Sequence, residues 1–269
     1  MDGLRVVLLL ATVSTAFAGW QETLTPAAAA PFAAVRPFQA TFRFGWSNVL
    51  EAGSAEALFL YPTPSTWAVE VKGQSTGLAR ALWQLDATYS GSGNADSLMT
   101  DRFTQVEKYS RKAITTEAIF EPERVWRQRR VDPGERAKWK RVKWPGLRDL
   151  LAAMLFIRSQ PLNPKDEVVV TVYPGDQAFL VRMRVIGKDV VALPEGSRKA
   201  LKLELNIQKI VTDGERKGKL EEHRKFRSGT VWLSDDSDRI PLRAEVEVFI
   251  GFVYGELTSM RFLPAAEER

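Results

Sequence analysis

The chain has 269 residues, of which 45% are hydrophobic and 26% charged, and a net charge of +5. That length accommodates one large domain or two small ones, and the composition excludes a collagen-like or intrinsically disordered chain. The absence of cysteine excludes disulfides, thiolate metal sites, a cysteine nucleophile and a cysteine-linked lipid anchor, and the single histidine, His223, excludes a multi-histidine zinc site.

Residues 1–18 read as a secretory signal. Arg5 supplies the positive start, Val6 to Val13 the apolar run, and Ala16-Phe17-Ala18 the small-x-small site, with cleavage after Ala18. Export without cysteine suits a Gram-negative periplasm or outer-membrane surface. Residues 19–36 are rich in Ala and Pro and lack periodicity, so they are expected to form a tether. Residues 37–263 are expected to form a single β-rich domain and 264–269 a frayed tail.

From Pro37 the dominant signal has period 2. Phe38, Ala40, Phe42 and Phe44 fall on one face and Gln39, Thr41 and Arg43 on the other. Strands are expected over Ala55–Tyr61, Trp67–Val71, Ala81–Tyr89, Phe103–Tyr109 and Ala113–Phe120. Ser90-Gly91-Ser92-Gly93 lacks the lysine and spacing of a phosphate loop and reads as an ordinary loop. Arg124–Trp144 reads as a hairpin around Asp132-Pro133-Gly134, because proline presets φ and glycine accepts positive φ.

One helix is expected over Leu147–Ser159. Leu147, Leu150, Leu151, Met154 and Leu155 fall at helical spacing, Pro145-Gly146 precedes the helix and Pro161 ends it. Only Arg148, Asp149 and Arg158 break its apolar surface, so it should pack against a sheet. Strands then resume over Glu167–Tyr173, Ala178–Ile186, Lys202–Val211, Lys219–Phe226, Thr230–Ser234, Ile240–Ile250 and Phe252–Phe262. Clean alternation in several of these implies one wet and one dry face, as in antiparallel sheets. The expected fold is mainly β: a large curved antiparallel sheet or open barrel with one amphipathic helix packed on it.

Three stretches carry a family resemblance. The first is Phe42-Arg43-Phe44-Gly45-Trp46, followed by Gly53. The second runs from Asp149 to Arg158, then Pro161-Leu162 and Lys165-Asp166. The third is Val231-Trp232-Leu233-Ser234-Asp235-Asp236, then Arg239-Ile240-Pro241-Leu242 and Gly251. In this order and spacing the chain resembles the bacterial domain of unknown function 3108 family. Leu151 and Lys165 depart from the family pattern, which usually has a serine and a glycine there. The resemblance implies an exported, mostly antiparallel β protein, similar to the curved sheets that carry lipoproteins across the periplasm. It supplies no catalytic residues.

Positive charge is concentrated in residues 122–148, with ten Lys or Arg against three carboxylates. Arg127, Arg129, Arg130, Lys138, Lys140, Arg141 and Lys143, interleaved with Trp126, Trp139 and Trp144, could meet an anionic membrane surface or acidic glycan. The bland alternative is a solvated hairpin whose charges discourage edge-to-edge aggregation. Export argues against a nucleic-acid partner.

Phe42, Phe44, Trp46, Trp67 and Trp83 could line an apolar hollow for a lipid-like or glycan-like ligand, or belong to an ordinary core. The carboxylates Asp235, Asp236 and Asp238 do not match a calcium loop, and read as a polar turn with Arg239 neutralising one of them. His223 reads as a surface residue. No metal or other cofactor is expected.

The leading expectation is a non-enzymatic envelope binding or carrier domain. The alternatives are an envelope hydrolase using Asp236 and Asp238, or Glu245 and Glu247, as paired carboxylates, and a structural module that recruits a partner at a sheet edge.

Overall fold

The computed structural model describes residues 19–26, 35–134, 137–223, 228–248 and 251–264. Residues 1–18, which hold the expected signal and its cleavage site, lie outside the described residues, as do Arg136 and most of the expected tail.

Eight strands run in succession: β1 (Phe38–Trp46), β2 (Leu50–Thr63), β3 (Thr66–Ser75), β4 (Leu85–Asn94), β5 (Thr100–Tyr109), β6 (Ala113–Glu121), β7 (Arg124–Asp132) and β8 (Lys140–Val142). A six-residue helix, α1 (Gly77–Leu82), interrupts them between β3 and β4, where Ala81 was expected to open a strand. The longer helix α2 (Leu150–Ser159) follows β8. The remaining strands are β9 (Glu167–Val172), β10 (Ala178–Leu193), β11 (Gly196–Ile210), β12 (Leu220–Glu222), β13 (Gly229–Ser234), β14 (Pro241–Glu247) and β15 (Phe252–Phe262).

All belong to one sheet, ordered β8-β7-β6-β5-β4-β3-β2-β1-β15-β14-β13-β11-β10-β9, with β12 alongside β11. Every strand pairing is antiparallel. The fold is therefore two meanders joined where β1 pairs with β15, and it matches the curved-sheet expectation.

The chain passes from one edge of the sheet to the other through α2, and the segment before the helix ties the two edges together. Gly146 N–H donates to Pro122 C=O in the β6–β7 turn, Arg148 N–H donates to Thr171 C=O on β9, and Tyr173 N–H donates back to Arg148 C=O. These bonds occupy backbone groups that an open edge would leave unpaired.

Two clusters form the core. The first surrounds α2 with Phe38, Phe59, Trp67, Val170, Met183 and Leu233, all buried. The second joins Phe103, Ala118, Phe120 and Val125 of β5–β7 to Val169, Leu180 and Ile210 of β9–β11. Val168 and Val170 belong to the first cluster and Val169 to the second, so both faces of β9 are covered. That is why Val168, Val169 and Val170 run together in β9 instead of alternating with polar residues.

Three further expectations change. The helix starts at Leu150, and its buried face is Ala152, Ala153, Leu155, Phe156 and Ile157, whereas Leu150 is 53% exposed. A helix that is apolar nearly all round carries no phase in its sequence, so its neighbours decide the orientation. Ser90-Gly91-Ser92-Gly93 lies within β4, not in a loop. A Cβ on Gly91 would sit 3.2 Å from an Asp149 carboxylate oxygen, and one on Gly93 would collide with Met99 C=O, so these glycines let other groups approach the strand.

Finally, residues 19–26 of the expected tether are docked on the body. Trp20 stacks on Trp144 at 5.7 Å and donates its indole N–H to Gly218 C=O. Thr25 exchanges hydrogen bonds with Val169, covering part of the β9 edge.

Candidate interaction surface and the seating of helix α2

The second and third stretches that carry the family resemblance meet at α2, through Arg158 and the carbonyls of Asp238 and Arg239. Asp149 is fully buried and caps the helix, accepting from the N–H groups of Leu151 and Ala152. Its second oxygen accepts a 2.6 Å hydrogen bond from the Thr100 hydroxyl, which in turn accepts from Asp149 N–H. Burial pushes the Asp149 carboxyl up to about 6, although these donors pull the other way.

Arg158, at the far end of α2, donates to the carbonyls of Asp238 and Arg239. Its guanidinium lies 5.0 Å from the Phe38 ring centre. Arg148 donates to the carbonyls of Ser97 and Leu98 and lies 4.1 Å from the Phe156 ring centre. Burial lowers both guanidinium pKa values to about 10. The three charged residues that break the apolar surface of this segment are thus all buried. Backbone carbonyls and aromatic faces substitute for water around the two arginines.

The Asp235–Arg239 segment forms a self-capped turn. Asp236 accepts from the Ser234 hydroxyl and from the N–H groups of Asp238 and Arg239. The cation that pairs with Asp238 is Arg36, at 2.5 Å, not Arg239. Lys188 pairs with Asp235. Glu245 pairs with Arg243, which also reaches the buried Glu256. His223 lies 5.4 Å from the Phe179 ring. No cluster of three or more potential metal ligands occurs among the described residues.

The five candidate aromatics do not meet in one hollow. Trp67 is fully buried and Phe42 packs against the same core around α2. Phe44 lies over Gly53, where a Cβ would collide with its ring, and Trp46 lies over Gly251 at the same end of the sheet. Such aromatic-on-glycine contacts explain why this stretch pairs aromatics with glycines. Trp83 is 51% exposed at the end of α1, with its ring 6.2 Å from that of Tyr109. Grooves of about 240 and 320 Å³ cross the outer face of β2–β5, lined by residues such as Ser90, Ser92, Glu70 and Lys72. They lie opposite the face that holds α2.

The basic segment forms the β7–β8 hairpin as expected, with Val125 opposite Val142. Arg129, Arg130, Lys138, Lys140, Arg141 and Lys143 are exposed. Arg127 is half-buried, and its Nε has no hydrogen-bond partner among the described residues. Arg124 and Arg141 flank the Trp126 ring at 5.8 and 5.7 Å. Arg130 pairs with Asp132 and Arg124 with Glu121. Among the described residues, no carboxylate stands at ion-pairing distance from Arg129, Lys140, Arg141 or Lys143.

A single antiparallel sheet rolled around a buried helix, with a basic hairpin at one edge, defines a barrel-like β protein. The family model for the protein of unknown function DUF3108 matches residues 38–258, so the chain belongs to that family. Its fold is similar to the crystal structure of a beta-barrel-like protein of domain of unknown function DUF1849 from Brucella abortus. The TM-score is 0.54 at 10% identity, over 86% of this chain and 99% of that one. A protein from Parabacteroides distasonis described as a lipoprotein aligns with a TM-score of 0.37 at 10% identity, over 86% and 97% of the two chains. One from Bacteroides fragilis described as exported, with a YmcC-like fold, gives 0.32 at 10% identity, over 83% and 95%. No curated protein matches. No helix among the described residues is long and apolar enough to cross a membrane.

Proposed function

We propose that this protein is an exported, non-catalytic binding domain of the bacterial envelope that engages a lipid-like or glycan-like partner through the anionic groups of that partner. The observation that carries the reading is the group of exposed cations at the β7–β8 sheet edge with no ion-pairing carboxylate among the described residues: Arg129 and Lys140 on the face of the hairpin that carries Val125 and Val142, and Arg141 and Lys143 on the other. Each basic side chain near an anionic surface contributes about 1 kcal/mol, so four acting together are enough for reversible docking.

The packing of α2 bears on where the partner sits. Core side chains surround the helix on the inward face of the sheet, which favours a partner at the exposed β7–β8 edge over one in an interior hollow. Asp236, Asp238 and Glu245 are engaged in the turn and ion pairs described above, which favours binding over paired-carboxylate hydrolysis.

The test is retention of the exported protein, at low salt, on vesicles containing phosphatidylglycerol and on an immobilised acidic polysaccharide. Binding that falls steeply with added salt, and is lost when Arg129, Lys140 and Arg141 are changed together to Glu, is the expected result. Failure to bind either material at low salt overturns the proposal.

A further inference from the structure

One end of the barrel exposes large apolar side chains beside the basic hairpin. The antiparallel order brings the β1–β2 turn, α1, the β5–β6 turn and the β7–β8 turn to this end. Leu78 and Leu82, one helical turn apart on α1, are 75% and 87% exposed, and Val49 in the β1–β2 turn is 84% exposed. Trp83 follows directly. The opposite side of α1 faces the protein: Ala79 is buried, and Arg80 is held by Asp86 and by the carbonyls of Ser75 and Leu85. The outward leucines are therefore fixed in that orientation.

This apolar ridge is continuous with positive charge. The Trp83 ring lies 6.2 Å from that of Tyr109, and Lys112 lies 5.3 Å over the Tyr109 ring, whose hydroxyl donates to Glu107. Trp139, 46% exposed between Lys138 and Lys140, belongs to the same end. The turns at the other end carry Asp96, Glu123, Asp166, Glu195, Asp235, Asp236 and Asp238 against Lys165 and Arg239, whereas those at this end carry Asp132, Asp176, Asp213 and Glu215 against Arg111, Lys112, Lys138, Arg216, Lys217 and Lys219. The balance of turn charges therefore favours an anionic partner at the α1 end.

We infer that Val49, Leu78, Leu82 and Trp83 insert into the interface of an anionic phospholipid bilayer while the neighbouring lysines and arginines contact its headgroups. This rests on the proposed function and narrows its partner to a bilayer. Apolar side chains ringed by cations are the pattern of interfacial membrane binding, and tryptophan suits a boundary that is apolar on one side and wet on the other. A second copy of the chain fits less well, because a two-fold contact through this patch would bring Lys112 and Arg129 toward their own counterparts.

The absence of native cysteine allows a direct test. Leu82→Cys, Val49→Cys and, at the acidic end, Glu195→Cys are each labelled with an environment-sensitive dye in the exported protein and mixed with vesicles of phosphatidylcholine, with or without phosphatidylglycerol. The expected result is a blue-shifted, brighter dye at positions 49 and 82 with phosphatidylglycerol present, and no change at 195. Leu78→Glu with Leu82→Glu is expected to weaken vesicle binding roughly tenfold or more. Vesicle binding with the dye at 82 still in water overturns the insertion but leaves the proposed function standing. Binding to acidic polysaccharide without binding to vesicles does the same. Failure to bind either material removes both. A dimer that the double glutamate change dissociates assigns the patch to a second copy and overturns the inference.

Discussion

The Thr100 hydroxyl and the Asp149 carboxylate, 49 residues apart, form a 2.6 Å hydrogen bond that fixes the start of α2 against β5. Because the same carboxylate caps the helix, one buried side chain sets both where α2 begins and which way it faces.

Removing either partner should loosen the helix. Asp149→Ala loses the cap and leaves the Thr100 hydroxyl unsatisfied, at a cost of about 2–4 kcal/mol. Thr100→Val should cost about 1–3 kcal/mol. Urea denaturation followed by circular dichroism measures both, and an unchanged midpoint in Asp149→Ala would contradict the cap assignment.

Asp149 also makes stability pH-dependent. Its carboxyl titrates at about 6 in the folded chain and near 3.9 when unfolded. Between those values the folded state holds the proton more tightly, so this group's contribution is fully present below pH ~4 and is lost as the pH rises through ~6. The loss is about 3 kcal/mol at 1.36 kcal/mol per pK unit. Comparing wild type with Asp149→Asn isolates the effect: the difference in their unfolding free energies should change between pH 4 and 7, and a constant difference would refute it.

Arg158 is held by two carbonyls and an aromatic face. Arg158→Met keeps much of the volume but strands the carbonyls of Asp238 and Arg239, costing roughly 2–4 kcal/mol. Chemical denaturation gives the value, and a gain in stability would show that burying the guanidinium outweighs its bonds.

Lys165 has φ of 74°, in the left-handed region. The resemblance described above implies a glycine at this position, and the left-handed backbone is a physical reason for one. A left-handed residue with a Cβ costs about 1–2 kcal/mol, against about 0.5–1 kcal/mol of extra chain entropy for glycine. Lys165→Gly should therefore raise stability by up to about 1 kcal/mol, read as a higher melting temperature.

The Trp20–Trp144 stack predicts a role for the N-terminal segment. Trp20→Ala should cost about 1–2 kcal/mol. Deleting residues 19–26 should also uncover part of the β9 edge and increase aggregation on refolding. Light scattering during refolding checks the second outcome.

Most strands and the hairpin were legible in the sequence, because a half-buried strand writes its two faces into alternate residues. The helix was legible in position but not in phase, since Leu150 and Phe156 look alike in a segment that is apolar on nearly every side. The surface was legible only in part. The basic hairpin stood out as a charge cluster, whereas Leu78, Leu82 and Val49 had no distinguishing pattern, and Ala81 to Tyr89 read as one strand. Of the candidate aromatics, only the structure separates the buried Trp67 from the exposed Trp83.

The sequence by itself determined the two-residue rhythm, the turn at Asp132-Pro133-Gly134, the clustering of charge and the motifs that mark the family, since each is a property of neighbouring residues. The tertiary structure alone decided that Arg148, Asp149 and Arg158 are buried, that Trp20 docks on Trp144, and that the apolar ridge stands beside the cations. Those outcomes depend on hydrogen-bond and packing partners far away in the chain: 49 residues for Asp149, 81 for Arg158 and 198 for Trp20 and Gly218. A charged side chain can be buried only where distant groups replace its water, and no local pattern records where they will be.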